Sequence, residues 1–144
     1  MKNNPLTSAE LVISDELKAA AKAAYNNAYA PYSQFKVGSA ALTSDNTIVS
    51  GCNVENASYG LTVCAERNCI SQAVIQGKQV FQLIIIYTEQ DKLTPPCGAC
   101  RQVIAEFFDQ NAPVIAFNHK GEQQVWQVAE LLPNAFTPKF LLDA

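Results

Sequence analysis

The chain carries Cys64-Ala65-Glu66-Arg67 and, further along, Pro96-Cys97-Gly98-Ala99-Cys100-Arg101-Gln102. Together these stretches have the pattern C-x-E followed by P-C-x-x-C. Three cysteine thiolates can hold a zinc ion and leave its fourth position open, as catalytic rather than structural zinc sites do. A carboxylate two residues after the first ligand is placed to move protons at that open position. The predicted ligands and the predicted proton carrier are Cys64, Cys97, Cys100 and Glu66.

Both stretches lie where a predicted strand is followed by a predicted helix. Strands are predicted over Thr47 to Gly51 and over the strongly apolar run Val80 to Thr88. Helices are predicted from near Val63 to Gly77 and from near Cys97 to Asp109, with Gly77 ending the first of them. Because a helix N-terminus carries partial positive charge that lowers the pKa of a thiol, both positions suit thiolate ligands.

The remaining segments extend this alternation of helices and strands. Ser14 is predicted to cap an Ala-rich helix that runs to about Ala28, and Asp45-Asn46 to form the turn between the first two strands. Because strands and helices alternate after residue 47, we expect βαβ units and a sheet covered on both faces, with an antiparallel first pair. The predicted fold class is therefore α/β, a three-layer α/β/α domain over residues 1–144 with a mixed sheet of about five strands. The other predicted strands and the tail helix are Lys36 to Thr43, Val114 to Phe117, Gln123 to Val128 and Ala129 to Leu132.

Composition and charge exclude several classes of protein. Hydrophobic residues make up 49% of the 144 residues and charged residues 16%, which suffices for a buried core and argues against disorder. The net charge of −3 and the lack of a basic block give no footprint for polymeric nucleic acid. No signal peptide is visible in residues 1–13, and the longest aliphatic run, Leu83 to Ile86, is far too short to cross a bilayer. We therefore expect neither polymeric nucleic acid nor a membrane among the partners of this chain.

The cysteine content favours metal binding over disulfides. The chain has five cysteines, an odd number, and no secretion signal accompanies them. We therefore expect a cytoplasmic protein.

A lone C-x-x-C remains ambiguous between a redox pair, half of a structural zinc site and a pair of catalytic ligands. A structural zinc module would need a fourth ligand, for which the candidates are Cys52, Cys69 and His119. Cys69 lies five residues after Cys64 on one predicted helix and faces another direction, so it is better explained as a small buried hydrophobe. The redox alternative leaves Cys64 and Glu66 unexplained.

Arg67 and Arg101 are the only arginines of the chain, and each stands inside a zinc stretch. Three thiolates and one Zn²⁺ leave a net negative charge at the site. A guanidinium that donates hydrogen bonds to the ligand sulfurs would offset that charge. We expect this supporting role for Arg67 and for Arg101.

Five segments that follow one another along the chain connect it to one family. They are the two zinc stretches together with Ala30–Gly38, Gly51–Ala57 and Glu130–Phe136. With these segments the chain resembles small homotetrameric, zinc-dependent cytidine deaminases along nearly its whole length. The resemblance implies the cytidine deaminase fold, one Zn²⁺ per chain and a homotetramer. It also implies hydrolysis of cytidine and 2′-deoxycytidine to uridine and 2′-deoxyuridine with release of ammonia, a step of pyrimidine salvage.

The resemblance further implies roles for residues around the zinc pattern. The residues that match Asn53 and Glu55 bind the ribose 3′-hydroxyl, and the one that matches Phe35 packs on the pyrimidine. Ala65 is expected to contact the base through its backbone. The Asn53-Val54-Glu55 segment separates cytidine deaminases from other zinc deaminases, and a deaminase of another cytosine-like small molecule is the alternative that it argues against.

Two further residues, Tyr59 and Phe136, match positions that reach the pocket of a neighbouring subunit. The chain departs from a common family pattern at Ser58 to Val63, where a proline often follows the tyrosine. This departure concerns the path of the loop before Cys64 and not the ligands themselves.

Overall fold

The computed structural model describes residues 13–142. The N-terminal segment in which no signal peptide is expected lies almost wholly outside this range. The longest described helix has 12 residues, and no helix in the range is both long and apolar enough to cross a membrane. The elements in chain order are α1 (Asp15–Asn26), β1 (Gly38–Thr43), β2 (Ile48–Cys52), a 3₁₀ turn (Tyr59–Leu61), α2 (Ala65–Ile75), β3 (Phe81–Thr88), α3 (Gly98–Phe107), β4 (Pro113–Asn118), β5 (Gln123–Gln127), α4 (Val128–Leu131) and α5 (Lys139–Leu142).

The strands form a five-stranded mixed sheet in the order β2-β1-β3-β4-β5. β3 and β4 are parallel and are joined through α3, whereas the pairs β1–β2, β1–β3 and β4–β5 are antiparallel. The predicted strand number and the antiparallel first pair are confirmed. The predicted βαβ units are present. The unit β3-α3-β4 joins neighbouring parallel strands. The unit β2-α2-β3 is split, because β1 lies between β2 and β3 and pairs antiparallel with both, which makes those two strands parallel.

Helices cover both faces of the sheet, as the three-layer prediction requires. Along β3, Ile84 and Ile86 belong to the core beneath α2, α3 and α4. The alternate residues Ile85 and Tyr87 belong to the core beneath α1. The apolar run predicted as a buried strand is therefore buried on both sides, as successive residues of a strand in a covered sheet must be.

Local signals fix the ends of the helices. The Ser14 hydroxyl accepts a hydrogen bond from the Leu17 amide at 3.2 Å and caps α1. Gly77 has φ of 81° and ends α2 in the left-handed conformation that glycine adopts without strain. The predicted helix starts are correct to within two residues, while α1 ends at Asn26, before the predicted Ala28.

Gly51 lets the first turns of α2 rest directly on β2. A Cβ atom at this position would lie 2.4 Å from the amide nitrogen of Cys69 and 2.6 Å from the carbonyl oxygen of Ala65. Both contacts are with helix backbone, so only glycine allows this approach. The close contact determines where the N-terminal end of α2, and with it Cys64, stands relative to the sheet.

Candidate metal centre and active site

The three cysteines of the zinc pattern come together between the starts of two helices. Cys64 is the residue immediately before α2, Cys97 immediately precedes α3, and Cys100 lies in the first turn of α3. The Sγ atoms of Cys64 and Cys97 are 3.7 Å apart, and all three sulfur atoms lie within 4.8 Å of one another. Cys100 is buried, whereas Cys97 is exposed and Cys64 half-buried, so the cluster is reached from the side of the latter two.

This donor set fits a zinc ion. Zinc binds thiolates at about 2.3 Å in tetrahedral geometry, which puts neighbouring sulfur atoms about 3.8 Å apart. The 3.7 Å between Cys64 and Cys97 is close to that separation. Three protein ligands leave one position open, as a catalytic rather than a structural site requires.

The candidates for a fourth protein ligand stand elsewhere. Cys69 is buried in the core with its thiol 3.5 Å from the Val49 carbonyl oxygen, and burial raises its pKa to about 12. Cys52 ends β2, and burial raises the pKa of its thiol as well. Within residues 13–142, neither these two nor His119 joins the three-sulfur cluster. The structural-zinc alternative therefore has no fourth ligand in the described chain.

Arg67 contributes positive charge to the cluster, as expected. Its Nη2 donates to the Cys64 sulfur and to the Thr62 carbonyl, both at 3.5 Å. Hydrogen bonds from the Cys100 thiol and from Arg67 lower the pKa of Cys64 to about 5, which makes it a thiolate at neutral pH. The pKa of Cys100 is raised in turn, because its thiol donates a hydrogen bond to the Cys64 sulfur and this bond favours the protonated form of Cys100.

Arg101 does something other than the expected donation to sulfur. Its Nε donates to the Pro96 carbonyl at 2.8 Å, and its Nη1 donates to the Leu131 carbonyl at 3.0 Å. The guanidinium thus ties the residue before Cys97 to the end of α4. The expectation that Arg101 donates to a ligand sulfur is therefore corrected. Arg101 holds the ligand-bearing loop in place, and the guanidinium that donates to a ligand sulfur is that of Arg67.

Glu66 lies in the first turn of α2 and is 4% exposed. Burial disfavours its charged form and raises its pKa to about 7, and the nearby Cys64 charge acts in the same direction. A carboxyl group poised near neutrality can both accept and release a proton, which is the requirement for a proton carrier. Ala65, fully buried, connects this residue to the ligand Cys64.

A cavity of about 300 Å³ opens in front of the sulfur atoms. It brings together most of the predicted site and adds residues that the sequence did not single out. Its lining consists of Ser33, Phe35, Val37, Asn53, Glu55, Thr62, Cys64, Glu66, Ile86, Thr94, Pro95 and Cys97.

Asn53 and Glu55 also line this cavity, and hydrogen bonds hold both side chains in place. Asn53 accepts a hydrogen bond from the Val37 amide at 2.9 Å and donates to the Phe35 carbonyl at 2.8 Å. Glu55 accepts hydrogen bonds from the amides of Tyr32 and Ser33 and from the Ser33 hydroxyl. These donors, the Ser33 hydroxyl foremost, lower the pKa of Glu55 and keep it ionised.

Comparisons with known proteins identify the family. The family model of the cytidine and deoxycytidylate deaminase zinc-binding region matches residues 13–116. A cytidine deaminase of Sporosarcina psychrophila is 45% identical over 127 residues, covering 88% of this chain and 93% of that protein. A cytidine deaminase of Halalkalibacterium halodurans is 44% identical over 120 residues, covering 83% of this chain and 91% of that protein. The crystal structure of a cytidine deaminase from Burkholderia pseudomallei superposes with a TM-score of 0.82 at 45% identity, covering 87% of this chain and all of that one.

The chain belongs to the cytidine deaminase family. The zinc-binding region that defines the match contains Cys64, Cys97 and Cys100, so the family and the three-sulfur cluster agree on one zinc ion per chain.

Two residues that the deaminase resemblance singled out, Tyr59 and Phe136, are not part of the lining of the 300 Å³ cavity, although Tyr59 lines a neighbouring cavity that shares Ser33, Glu55 and Thr62 with it. The Tyr59 side chain is 76% exposed, and its ring centroid is 6.0 Å from that of Tyr32. Phe136 is exposed and stacks on Phe140 with centroids 5.5 Å apart, while its carbonyl accepts a hydrogen bond from Gln102.

The cavity residues that sequence reasoning missed fall into two groups. Ile86 belongs to a run interpreted only as core, yet it lies near the carboxyl end of a parallel strand, where α/β proteins bind ligands. Ser33, Val37, Thr62, Thr94 and Pro95 lie outside the helices and strands. Of these, Ser33 and Val37 belong to the Ala30–Gly38 segment that carries the resemblance, and this membership was the one signal available for them.

Proposed function

We propose that this deaminase hydrolyses cytidine and 2′-deoxycytidine to uridine and 2′-deoxyuridine with release of ammonia. The observation that carries the proposal is one cavity of about 300 Å³ whose lining includes both the cysteine and glutamate group Cys64, Cys97 and Glu66 and the polar pair Asn53 and Glu55. The volume lies at the lower end of the range for small-molecule sites. Such a cavity accommodates a nucleoside with its base near the sulfur atoms and its sugar near the amide and the carboxylate.

The residues of the chain divide the chemistry between them. Held by Cys64, Cys97 and Cys100, zinc supplies Lewis-acid activation of the attacking water. Glu66 takes one proton of that water and delivers it to N3 of the base, which makes C4 electrophilic, and the resulting hydroxide adds to C4. Glu66 then takes the remaining proton of the added hydroxyl and passes it to the amino group, so that the C4–N bond breaks and ammonia leaves. Its burial restricts these transfers to the interior of the cavity.

Phe35, Asn53 and Glu55 determine which molecule is held. Phe35 packs on the pyrimidine, and Asn53 and Glu55 bind the ribose 3′-hydroxyl. Glu55 is ionised, and no lysine or arginine is among the residues that line the cavity. A nucleotide would bring its phosphate toward a carboxylate without a cationic partner, so nucleosides are the preferred substrates. The same residues disfavour a cytosine-like molecule that lacks a sugar.

We also propose that residues 1–144 form one deaminase domain that assembles into a homotetramer and works in the cytoplasm. Exposed apolar side chains support the assembly, among them Phe136, Phe140, Leu141 and Leu142. All five cysteines are free, which suits a reducing compartment. In the tetramer, Tyr59 and Phe136 reach the pocket of a neighbour, so Phe136→Ala loses activity while keeping its zinc.

The test is a loss-of-absorbance assay at the cytidine band with the purified protein, run beside a zinc determination. Cytidine and 2′-deoxycytidine should be turned over, while cytidine 5′-phosphate and free cytosine should react poorly. Light scattering on the same sample should report four chains. Absence of turnover by zinc-loaded protein would refute the activity, and a fully active monomer would refute the shared pocket.

A further inference from the structure

We propose that Ser33 is a positioning residue for substrate recognition. Its hydroxyl orients the Glu55 carboxylate so that the one hydrogen-bond acceptor site left free on this carboxylate faces the sugar. The inference rests on the proposed function, in which Glu55 contacts the ribose 3′-hydroxyl. It assigns a role to a residue of the Ala30–Gly38 segment for which neither the zinc pattern nor the deaminase resemblance implied one.

The hydrogen bonds at Glu55 leave little capacity for a ligand. An ionised carboxylate offers about four acceptor sites, two on each oxygen. Oε1 takes the amides of Tyr32 and Ser33, at 2.9 and 3.1 Å, and is thereby filled. Oε2 takes the Ser33 hydroxyl. The remaining site is therefore on Oε2, the oxygen that Ser33 itself holds.

The direction of the hydroxyl bond follows from a second contact. The Phe35 amide donates to Ser33 Oγ at 3.0 Å, so Ser33 acts as acceptor toward the backbone. Its single hydrogen is left for Glu55, and the polarity of the pair is fixed. A bound hydroxyl then has to act as the donor toward Oε2, as a sugar hydroxyl can.

The same hydroxyl links the sugar and base ends of the cavity. Gln34, between Ser33 and Phe35, has φ of 60°, a conformation that costs energy for a residue other than glycine. The bond from Phe35 to Ser33 Oγ bridges this residue, and Asn53 holds the Phe35 carbonyl from the other side at 2.8 Å. The backbone that carries the Phe35 ring is thus fastened to the residue that aims the carboxylate.

Glu55 depends on these donors because it has no cationic partner in the described chain. The ion pairs within residues 13–142 join Lys78 to Asp45 and Lys120 to Asp91, away from the cavity. Hydrogen bonds to the charged form of the carboxylate also lower its pKa. Removal of the hydroxyl therefore affects the orientation of Glu55 directly, with no neighbouring cation to compensate.

The test compares Ser33→Ala with the wild type on cytidine and on 3′-deoxycytidine. We expect kcat/KM for cytidine to fall about tenfold to a hundredfold, mainly through KM, as for a hydrogen bond to a charged group. We expect 3′-deoxycytidine, which gives Oε2 nothing to accept, to change less than about threefold, within the effect of an ordinary neutral contact. Ser33→Thr keeps a hydroxyl and should restore most of the loss, while Ser44→Ala on the exposed β1–β2 turn is the matched control.

A double-mutant cycle with Glu55→Gln separates positioning from a general effect on the loop. Ser33→Ala should cost little further once Glu55 is changed, because interacting residues are not additive. Equal losses on both substrates, or additive losses in the cycle, would overturn the inference and make Ser33 a residue of loop structure only. Zinc content and thermal unfolding of every variant confirm folding, and Ser33→Thr decides the matter should the alanine variant unfold.

Failure of the proposed function has a different signature. A wild type that deaminates cytidine and 3′-deoxycytidine equally well would show that Glu55 does not bind the 3′-hydroxyl. This result would refute the role of Ser33 and leave the deaminase activity supported. A zinc-loaded wild type without turnover of either would refute the activity before Ser33 is changed.

Discussion

The Sγ atoms of Cys64 and Cys97 lie 3.7 Å apart, although 33 positions of chain separate the two residues. Each cysteine directly precedes a helix, so the two backbones approach the cluster with their free amide ends. The partial positive charge of both helix ends favours thiolates at this point. The metal centre therefore depends on the partial positive charge at the starts of α2 and α3 as well as on the sulfur atoms.

Zinc content should report the ligand set. Alanine at Cys64, Cys97 or Cys100 should abolish stoichiometric zinc binding, because two thiolates cannot complete the site. Cys52→Ala is the matched control and should retain one zinc per chain, as measured by a colorimetric chelator after unfolding. Zinc retained by Cys64→Ala but lost from Cys52→Ala would contradict the assignment.

Glu66→Gln should keep the fold and the zinc and lose turnover by more than about a hundredfold, since general acid–base groups supply about 10²–10⁴-fold per step. The exposed Glu106 on α3 provides the same substitution outside the cavity, and Glu106→Gln should remain fully active. Initial rates on cytidine measure both. A Glu66→Gln rate within tenfold of wild type would rule out the proton-carrier role.

Arg67→Ala should weaken zinc binding by about 10–100-fold, the usual effect of removing a residue that supports a metal ligand. The physical reason is the loss of the only guanidinium that donates to Cys64 in the described chain. Competition with a chelator of known affinity gives the constant. Arg101→Ala loses hydrogen bonds to two carbonyl oxygens. It should lower the melting temperature more than Arg67→Ala does and weaken zinc binding less than Arg67→Ala does. The reverse order of the two variants would contradict both assignments.

Gly51→Ala should destabilise the protein by about 1–3 kcal/mol, as overpacking of a tight contact does. The added Cβ would meet the backbone of α2 at 2.4 and 2.6 Å, and the helix must move away from β2. Gly60→Ala is the control, because a Cβ there has nothing within 4 Å. Chemical denaturation measures both variants, and equal stability of the two would show that the close approach is unimportant.

Asp45 gives a prediction for acid stability. Hydrogen bonds from Lys78, at 2.6 Å, and from Thr43 and Thr47 hold the pKa of this carboxyl well below its usual range. A lowered folded pKa contributes stability above the unfolded pKa of about 3.9 and loses it as the pH falls further. Asp45→Asn should therefore be less stable than wild type at pH 7, and the difference should shrink below about pH 4. Urea unfolding across this range measures it, and a difference independent of pH would exclude the ionic contribution.

Local signals made much of the fold predictable from the sequence. The apolar run of β3, the Ser14 cap and the Gly77 terminus each act within a few residues, so their elements appear where they were expected. The sheet order was not predictable in the same way, because β1 finds β3 through pairing between Ala41 and Ile84, far apart in the chain. A pattern of alternating elements does not encode which strand becomes the neighbour of which.

In the candidate site, too, features with a local sequence signal were predictable and contacts between distant residues were not. The spacing of the zinc pattern indicated three ligands and Glu66, since all of them stand at helix starts. Arg101 reaches Leu131, 30 positions away in the chain, and Ser33 reaches Glu55, 22 positions away, and no local pattern points to either contact. Arg101 was misjudged and Ser33 overlooked for the same reason, that a hydrogen bond across the fold leaves no mark in the adjacent sequence.

The path between Cys64 and Cys97 contains α2 and β3, and β3 is the middle strand of the sheet. A metal ion that joins the two ends of this path closes a loop around the centre of the fold. The amides of Asn68 and Arg101 donate hydrogen bonds to the carbonyl oxygens of Cys64 and Cys97 and close the first turns of α2 and α3. We expect these two amide protons to exchange with solvent only when the whole protein unfolds while the loop is closed. Chelation would let both turns fray by themselves, and the binding of zinc would then be readable in hydrogen exchange without any substrate.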